Sequence, residues 1–389
     1  MTEKLFYQDS YRKTFTATVI SCEPFGEGYK AVLDRTAFFP EGGGQYADPG
    51  MLNDRKVIDV QEKDGVIYHY IEGELTVGTE VTGTIDWEKR FSRMQQHTAE
   101  HIISGLIHQK CGYNNVGFHL ADTYCPLDMD GPVTKEELRE IEFEANKAVF
   151  ANIPVEILYP TKEELESMEY RSKIEIEGQI RIVRIPGYDV CACCAPHLKT
   201  TGEIGLIKFV QSQNYKGGVR ITMLSGDRAF WDYCRKEDSI KDIMASLAAK
   251  EELVTEAVEH LKEENFELKQ KIYEQQKNIL KKMADQVSEN EQVVCVFDEI
   301  LEGAMPRDLM NMILEKGIDI CGVFSGTESD GFRYVIGSHD IDLRELCKAL
   351  NAKFEGRGGG KPFMVQGSLK GKQADIQKMI EEEVKEVRK

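Results

Sequence analysis

The sequence predicts an α+β chain in four successive parts: a small N-terminal β-barrel, an α/β domain with a metal-ligand pattern, a long helical or coiled-coil segment, and a C-terminal α/β domain. Three observations carry that prediction. Short alternating strands separated by turn residues fill residues 1–90. Two pairs of metal-binding side chains, His97/His101 and Cys193/His197, recur at i, i+4 spacing in residues 91–235. Residues 227–302 hold neither glycine nor proline, and apolar side chains repeat there every seven positions. The expected boundaries are therefore 1–90, 91–235, 236–290 and 291–389.

Composition narrows the functional class. A net charge of −18, from 49 basic and 67 acidic residues, excludes blanket attraction to nucleic acid or anionic membranes. An RNA partner would have to be met by local basic patches. No apolar run of signal-peptide type opens the chain, and no window approaches the roughly 18 apolar residues of a membrane helix. A cytoplasmic protein with no membrane partner is expected. The ten cysteines then read as thiols or metal ligands rather than disulfides.

In chain order, residues 15–20, 29–33 and 65–70 alternate as strands, with turns at Pro24, Gly26, Gly28, Asn53-Asp54 and Asp64-Gly65. Within this region the run Phe39-Pro40-Glu41-Gly42-Gly43-Gly44-Gln45 permits unusual dihedrals and close approach of a ligand to the main chain. No Gly-Lys-Ser/Thr follows it, so it is not a P-loop. Asp86 is a plausible N-cap for a helix carrying apolar residues at Met94, Ala99, Ile102, Ile103, Leu106 and Ile107. On that helix His97 and His101 leave one face a turn apart. His108 lies about 10 Å further along the axis, too far to share their metal.

Residues 116–119 and 123–130 read as paired strands, and Thr134 opens a helix through a capping box with Glu137. A strand at 155–159, a helix from Thr161 and a strand at 180–185 lead to Asp189-Val190-Cys191-Ala192-Cys193-Cys194-Ala195-Pro196-His197. Pro196 disfavours helix at Ala195, which puts Cys193 and His197 on a loop. Residues 208–213 and 218–226 form a hairpin-like pair. One seam then runs Ile240, Leu247, Val254, Leu261, Leu268, and a second runs Met244, Val258, Ile272, Ile279 with Glu251 and Asn265 as polar members. The seams predict a long helix or a helical hairpin, which either pairs with a second copy or packs against the chain's own domains. Beyond Asn290 come a strand at 293–297, a helix at 307–315, strands at 321–324 and 332–336, helices at 343–350 and from about Gln373, and a glycine loop with Arg357 and Lys361 that can meet phosphate.

These motifs, in this order, resemble the C-terminal two thirds of alanyl-tRNA synthetase and the free-standing alanyl-tRNA trans-editing proteins of the long AlaX type. The resemblance covers nearly all 389 residues. It rests on the glycine motif with Asp48-Pro49-Gly50, the HxxxH of His97 and His101, the CxxxH of Cys193 and His197, Gly218-Val219-Arg220-Ile221, and the DHHA1-like Gly358-Gly359-Gly360-Lys361-Pro362. Ile221 replaces the second arginine of its element. Where the family has Cys-Gly-Gly-Thr-His this chain has Cys193-Cys194-Ala195-Pro196-His197, leaving Cys191 or Cys194 as alternatives to Cys193. The chain opens at the barrel, so an ATP-using aminoacylation domain is not expected, and no Asp-His-His of the related phosphodiesterases occurs.

The resemblance implies a zinc-dependent deacylase of alanine tRNA mischarged with serine or glycine. One zinc per chain would be held by His97, His101, Cys193 and His197. His97, His101 and Glu100 are the candidate catalytic residues, although Glu100 points about 100° away from His101 on the helix. Gly42, Gly43, Gly44 and Gln45 would bind the acyl group; Arg220, Arg357 and Lys361 would contact tRNA. A homodimer through the helical segment or C-terminal domain is an open expectation. The competing reading is a non-catalytic zinc-containing tRNA-binding scaffold.

Overall fold

Phe15, Ala17 and Val19 are buried between Thr14, Thr16 and Thr18, the period-two alternation of a half-buried strand. A computed structural model describes residues 1–121, 123–172 and 179–387. Two compact units divide it, residues 1–242 and 243–389. The first begins with β1 (Glu3–Lys4), α1 (Leu5–Gln8), β2 (Thr14–Phe25), β3 (Gly28–Leu33), β4 (Arg35–Thr36), β5 (Gly50–Leu52), β6 (Arg55–Lys63), β7 (Val66–Ile71) and β8 (Glu80–Ile85). The sheet β2-β3-β7-β6-β5-β8 is a closed barrel, since β8 pairs back with β2. Phe15, Leu33, Phe38, Leu52, Ile67 and Ile85 belong to its core.

Helix α2 (Trp87–Cys111) starts at Asp86, which accepts from the Lys89 N–H at 3.2 Å, and stops at Gly112, left-handed at φ 75°. Every residue from Ser92 to Gly105 is buried. This is therefore a central helix rather than the one-sided amphipathic helix that its apolar spacing suggests. After it come β9 (Asn115–Phe118), β10 (Cys125–Met129), α3 (Lys135–Ala151, with the Thr134/Glu137 capping box), β11 (Glu156–Leu158), α4 (Lys162–Glu166), β12 (Ile182–Ile185), β13 (Asp189–Ala192), β14 (Ile207–Tyr215), β15 (Gly218–Ser225) and α5 (Asp227–Leu247). One antiparallel sheet runs β14-β15-β10-β9, another β11-β12-β13. A Cβ on Gly105 would lie 2.1 Å from the Tyr188 carbonyl oxygen. Only glycine lets α2 come this close to the segment leading into β13.

The second unit contains α6 (Val254–Asp285), β16 (Val293–Asp298), α7 (Met305–Leu314), β17 (Ile320–Thr327), β18 (Gly331–Ser338), α8 (Arg344–Lys353), β19 (Arg357–Lys361), β20 (Met364–Leu369) and α9 (Gln373–Val387). Its sheet runs β16-β17-β18-β20-β19, with only β16 and β17 parallel. Two expectations need correction. Of the two expected forms, one long helix is ruled out for the heptad seam: Ala248 takes a left-handed φ of 50° and a 3₁₀ turn follows at Glu251–Leu253. A non-glycine residue pays about 1–2 kcal/mol for that conformation, so the absence of glycine did not forbid the break. Downstream, Leu261, Leu268, Ile272 and Ile279 on α6 are exposed. The Gly358-Gly359-Gly360 run is the edge strand β19, not a loop, and its small residues fit against β20.

One buried ion pair ties the glycine motif to α2. Arg90 donates through Nε to both Asp48 oxygens at 2.9 Å, through Nη1 to the Ser10 carbonyl at 2.9 Å, and through Nη2 to the Ala37 carbonyl at 2.7 Å. Asp48 in turn accepts from the Phe39 N–H at 2.6 Å. Both side chains are fully buried. Removing one partner strands a buried charge, so Arg90→Met is expected to lower stability by about 3–5 kcal/mol in urea unfolding; a loss near zero would contradict this role.

Candidate metal centre

The burial of α2 decides how the centre is built, because each polar atom it carries needs a partner. The structure brings together His97, His101, Cys193 and His197, whose ligand atoms all lie within 4.8 Å of one another. The three imidazole centroids are 4.7–5.5 Å apart. Cys193 follows β13 directly, and its sulfur is 3.6 Å from His97 Nε2 and 3.4 Å from His197 Nε2.

Each imidazole is held from behind through Nδ1. His97 Nδ1–H donates to Gln45 Oε1 at 3.1 Å, and His101 Nδ1–H donates to Asp189 Oδ2 at 2.8 Å. His197 Nδ1 pairs with the Thr98 hydroxyl at 3.2 Å. Asp189 is fixed by Arg171, whose Nε and Nη2 donate at 2.8 and 2.9 Å. The Nδ1 partners leave Nε2 as the nitrogen each ring can offer a ligand. Outer partners of this kind orient metal-binding imidazoles and raise their basicity.

Burial and these partners also set the charge at the cluster. Burial pushes His197 down to about 3. Burial would lower His101 as well, but the Asp189 hydrogen bond, the Cys193 sulfur and the Glu100 charge together outweigh it and lift the group to about 10. Burial raises the Cys193 thiol, yet neighbouring His97 and His197 more than offset this and hold it well below its usual range. A thiolate among imidazoles is a donor set suited to a borderline-soft cation.

The glycine motif lies against the same site. Gly42 and Gln45 exchange main-chain hydrogen bonds at 3.0 Å, closing a turn, and Gly43 and Gly44 take φ of 60° and 80°. A Cβ on Gly44 would lie 2.7 Å from the Phe118 carbonyl oxygen. Gln45 is fully buried, and its Nε2 has no hydrogen-bond partner among the described residues. An unpaired buried donor costs about 1–3 kcal/mol unless a ligand accepts from it.

Other candidates fall elsewhere. Glu100 accepts from Ser104 Oγ at 2.6 Å and from Asn115 Nδ2, and is not in the four-residue cluster. Arg220 makes a bidentate pair with Asp128 at 2.6 and 2.7 Å and stacks on Tyr215, so its charge is already matched. Arg357 and Lys361 are exposed at the two ends of β19. Cys191 forms a second group with His101 and Asp189, and Cys194 is exposed. His108 is exposed, outside the cluster.

Asp189, Thr98, Arg171 and the Arg90–Asp48 pair were not anticipated. Asp189 alone carried a usable signal, a carboxylate within the cysteine stretch.

Three family models match this chain in order: tRNA synthetases class II (A) at residues 10–89, the threonyl and alanyl tRNA synthetase second additional domain at 180–222, and the DHHA1 domain at 290–386. An alanyl-tRNA editing protein AlaX-L from Pyrococcus horikoshii is 28% identical over 97% of this chain and 96% of its own length. Alanine–tRNA ligases from Pyrococcus abyssi and Ignicoccus hospitalis are 31% and 32% identical over 95% and 72% of this chain. The chain spans 42% and 32% of those two ligases.

Asp189→Asn removes the charge behind His101. It is expected to weaken divalent-metal affinity by about 10–100-fold in chelator competition, as loss of an outer-shell partner does. Unchanged affinity would show that Asp189 does not hold the ligand.

Proposed function

From this similarity to an alanyl-tRNA editing protein across nearly the whole chain, we propose that the protein hydrolyses the ester of alanine tRNA mischarged with serine or glycine, with one zinc ion held by His97, His101, Cys193 and His197. The observation that carries the reading is the convergence of those four donors, each imidazole pinned through Nδ1, beside the glycine turn. In a tetrahedral zinc site with ordinary bond lengths, nitrogen and sulfur ligands stand about 3.5 Å apart. The two Nε2–Sγ distances of 3.4 and 3.6 Å support that fit.

Zinc, when bound, supplies Lewis-acid charge for hydrolysis of an ester. The chain's own residues do the rest. Gln45 holds His97 through Oε1 and presents its unpaired Nε2–H as a donor for the acyl group. Exposed Gly43 and Gly44 admit the substrate close to the main chain. A site that hydrogen-bonds a substrate hydroxyl can reject an analogue lacking it by about 10⁴-fold, which is how serine would be told from alanine. Glu100, spent on Ser104 and Asn115, supports the helix rather than acting as base. Arg357 and Lys361 are the phosphate contacts this reading keeps; Arg220, neutralised by Asp128, is a weaker one.

A closed set of four ligands is also what a structural zinc site shows, and this favours the scaffold as the competing reading. Seryl-tRNA for alanine separates the two. Ester loss is expected to fall at least about a hundredfold in His97→Ala with unchanged circular dichroism, in the range typical when a positioned catalytic group is lost. Chelation should abolish turnover and added zinc restore it. Tight tRNA binding with no turnover by the unmodified protein would establish the scaffold instead.

A further inference from the structure

We propose that Cys194 sets the upper size of the acyl group that the site accepts, an inference that deepens the editing reading and rests on it. Cys194 is the one exposed thiol among the ten cysteines. A Cβ on Gly43 would lie 3.4 Å from Cys194 Sγ and 4.0 Å from His97 Cε1, and one on Gly42 would lie 3.9 Å from the same sulfur. Cε1 is bonded to the Nδ1 that donates to Gln45 Oε1. The thiol, the side-chain-free turn and the glutamine amide therefore meet along one edge of the His97 ring.

A Cβ on Gly42 or Gly43 would make only ordinary contact with the sulfur, so the turn leaves room for about one carbon there. Cys194 Sγ bounds it on one side, and on another stands the Gln45 amide with its unpaired, fully buried Nε2. The wall is stiff, because Arg181 Nη1 donates to the Cys193 carbonyl at 2.7 Å and its guanidinium lies over the Tyr7 ring. An acyl group with its carbonyl toward the metal ligands puts its side chain into this space. On this inference a hydrogen or a hydroxymethyl group passes the sulfur, and one further methyl meets the thiol.

The experiment compares kcat/KM for glycyl, seryl and threonyl esters of alanine tRNA in the unmodified protein, Cys194→Gly and Cys194→Val. One methyl in a tight pocket is worth about tenfold or more. Cys194→Gly is expected to gain that factor on threonyl relative to glycyl ester, and Cys194→Val to lose it on seryl relative to glycyl ester. Metal content and circular dichroism, unchanged in both, report folding.

Independently of turnover, alkylation of Cys194 read by mass spectrometry is expected to slow about tenfold with a stable amide analogue of seryl-adenosine at ten times its Kd. Unchanged ester ratios in folded variants, or alkylation indifferent to the analogue, would overturn the inference. An unmodified protein inert toward all three esters would remove the editing reading and this inference with it. An active protein with unchanged ratios would remove only this inference.

Discussion

A helix buried on every side must find a partner for each polar atom it carries, and α2 is such a helix from Ser92 to Gly105. That constraint organises the first unit. Gln96 exchanges hydrogen bonds with Ser225 at 2.8 Å, fastening α2 to β15, and Gln95 donates to the Glu203 carbonyl at 3.0 Å. Arg90, just upstream, grips Asp48 and so anchors the segment that carries the glycine turn. His97, His101 and Thr98 are satisfied in the same way: their partners Gln45, Asp189 and His197 come from two distant segments, the glycine turn and the stretch 189–197. The metal-ligand cluster is where these demands intersect.

The parts legible in the sequence were local ones. Asp86 and the Thr134/Glu137 box cap helices where expected, because capping depends on a few neighbouring residues. The i, i+4 spacing correctly put His97 and His101 on one side of a helix, since helical geometry alone directs them. That Cys193 and His197 would join them across 96 residues could not be read from spacing, and came from the likeness of the motifs to a known family.

What the sequence did not disclose is non-local or depends on small energies. Asp189 behind His101 and Asp48 beneath Arg90 are tertiary pairings with no sequence period. The helix break at Ala248 turns on a left-handed residue that composition cannot flag. Gly358, Gly359 and Gly360 look like a loop, yet a Cβ on Gly358 would lie 2.4 Å from the Tyr334 hydroxyl oxygen, so close strand packing explains that glycine. Arg220 looked available to phosphate until Asp128 was seen to match it. In a chain of net charge −18, that leaves fewer cations to meet an RNA partner.

The central claim is that one cation is shared by α2 and the loop after β13. X-ray absorption at the zinc edge, on protein purified without chelator, tests it most directly. The account predicts one zinc per chain with three nitrogen neighbours and one sulfur at about 2.0–2.1 and 2.3 Å. Protein that binds no metal, or zinc surrounded only by oxygen, would contradict it.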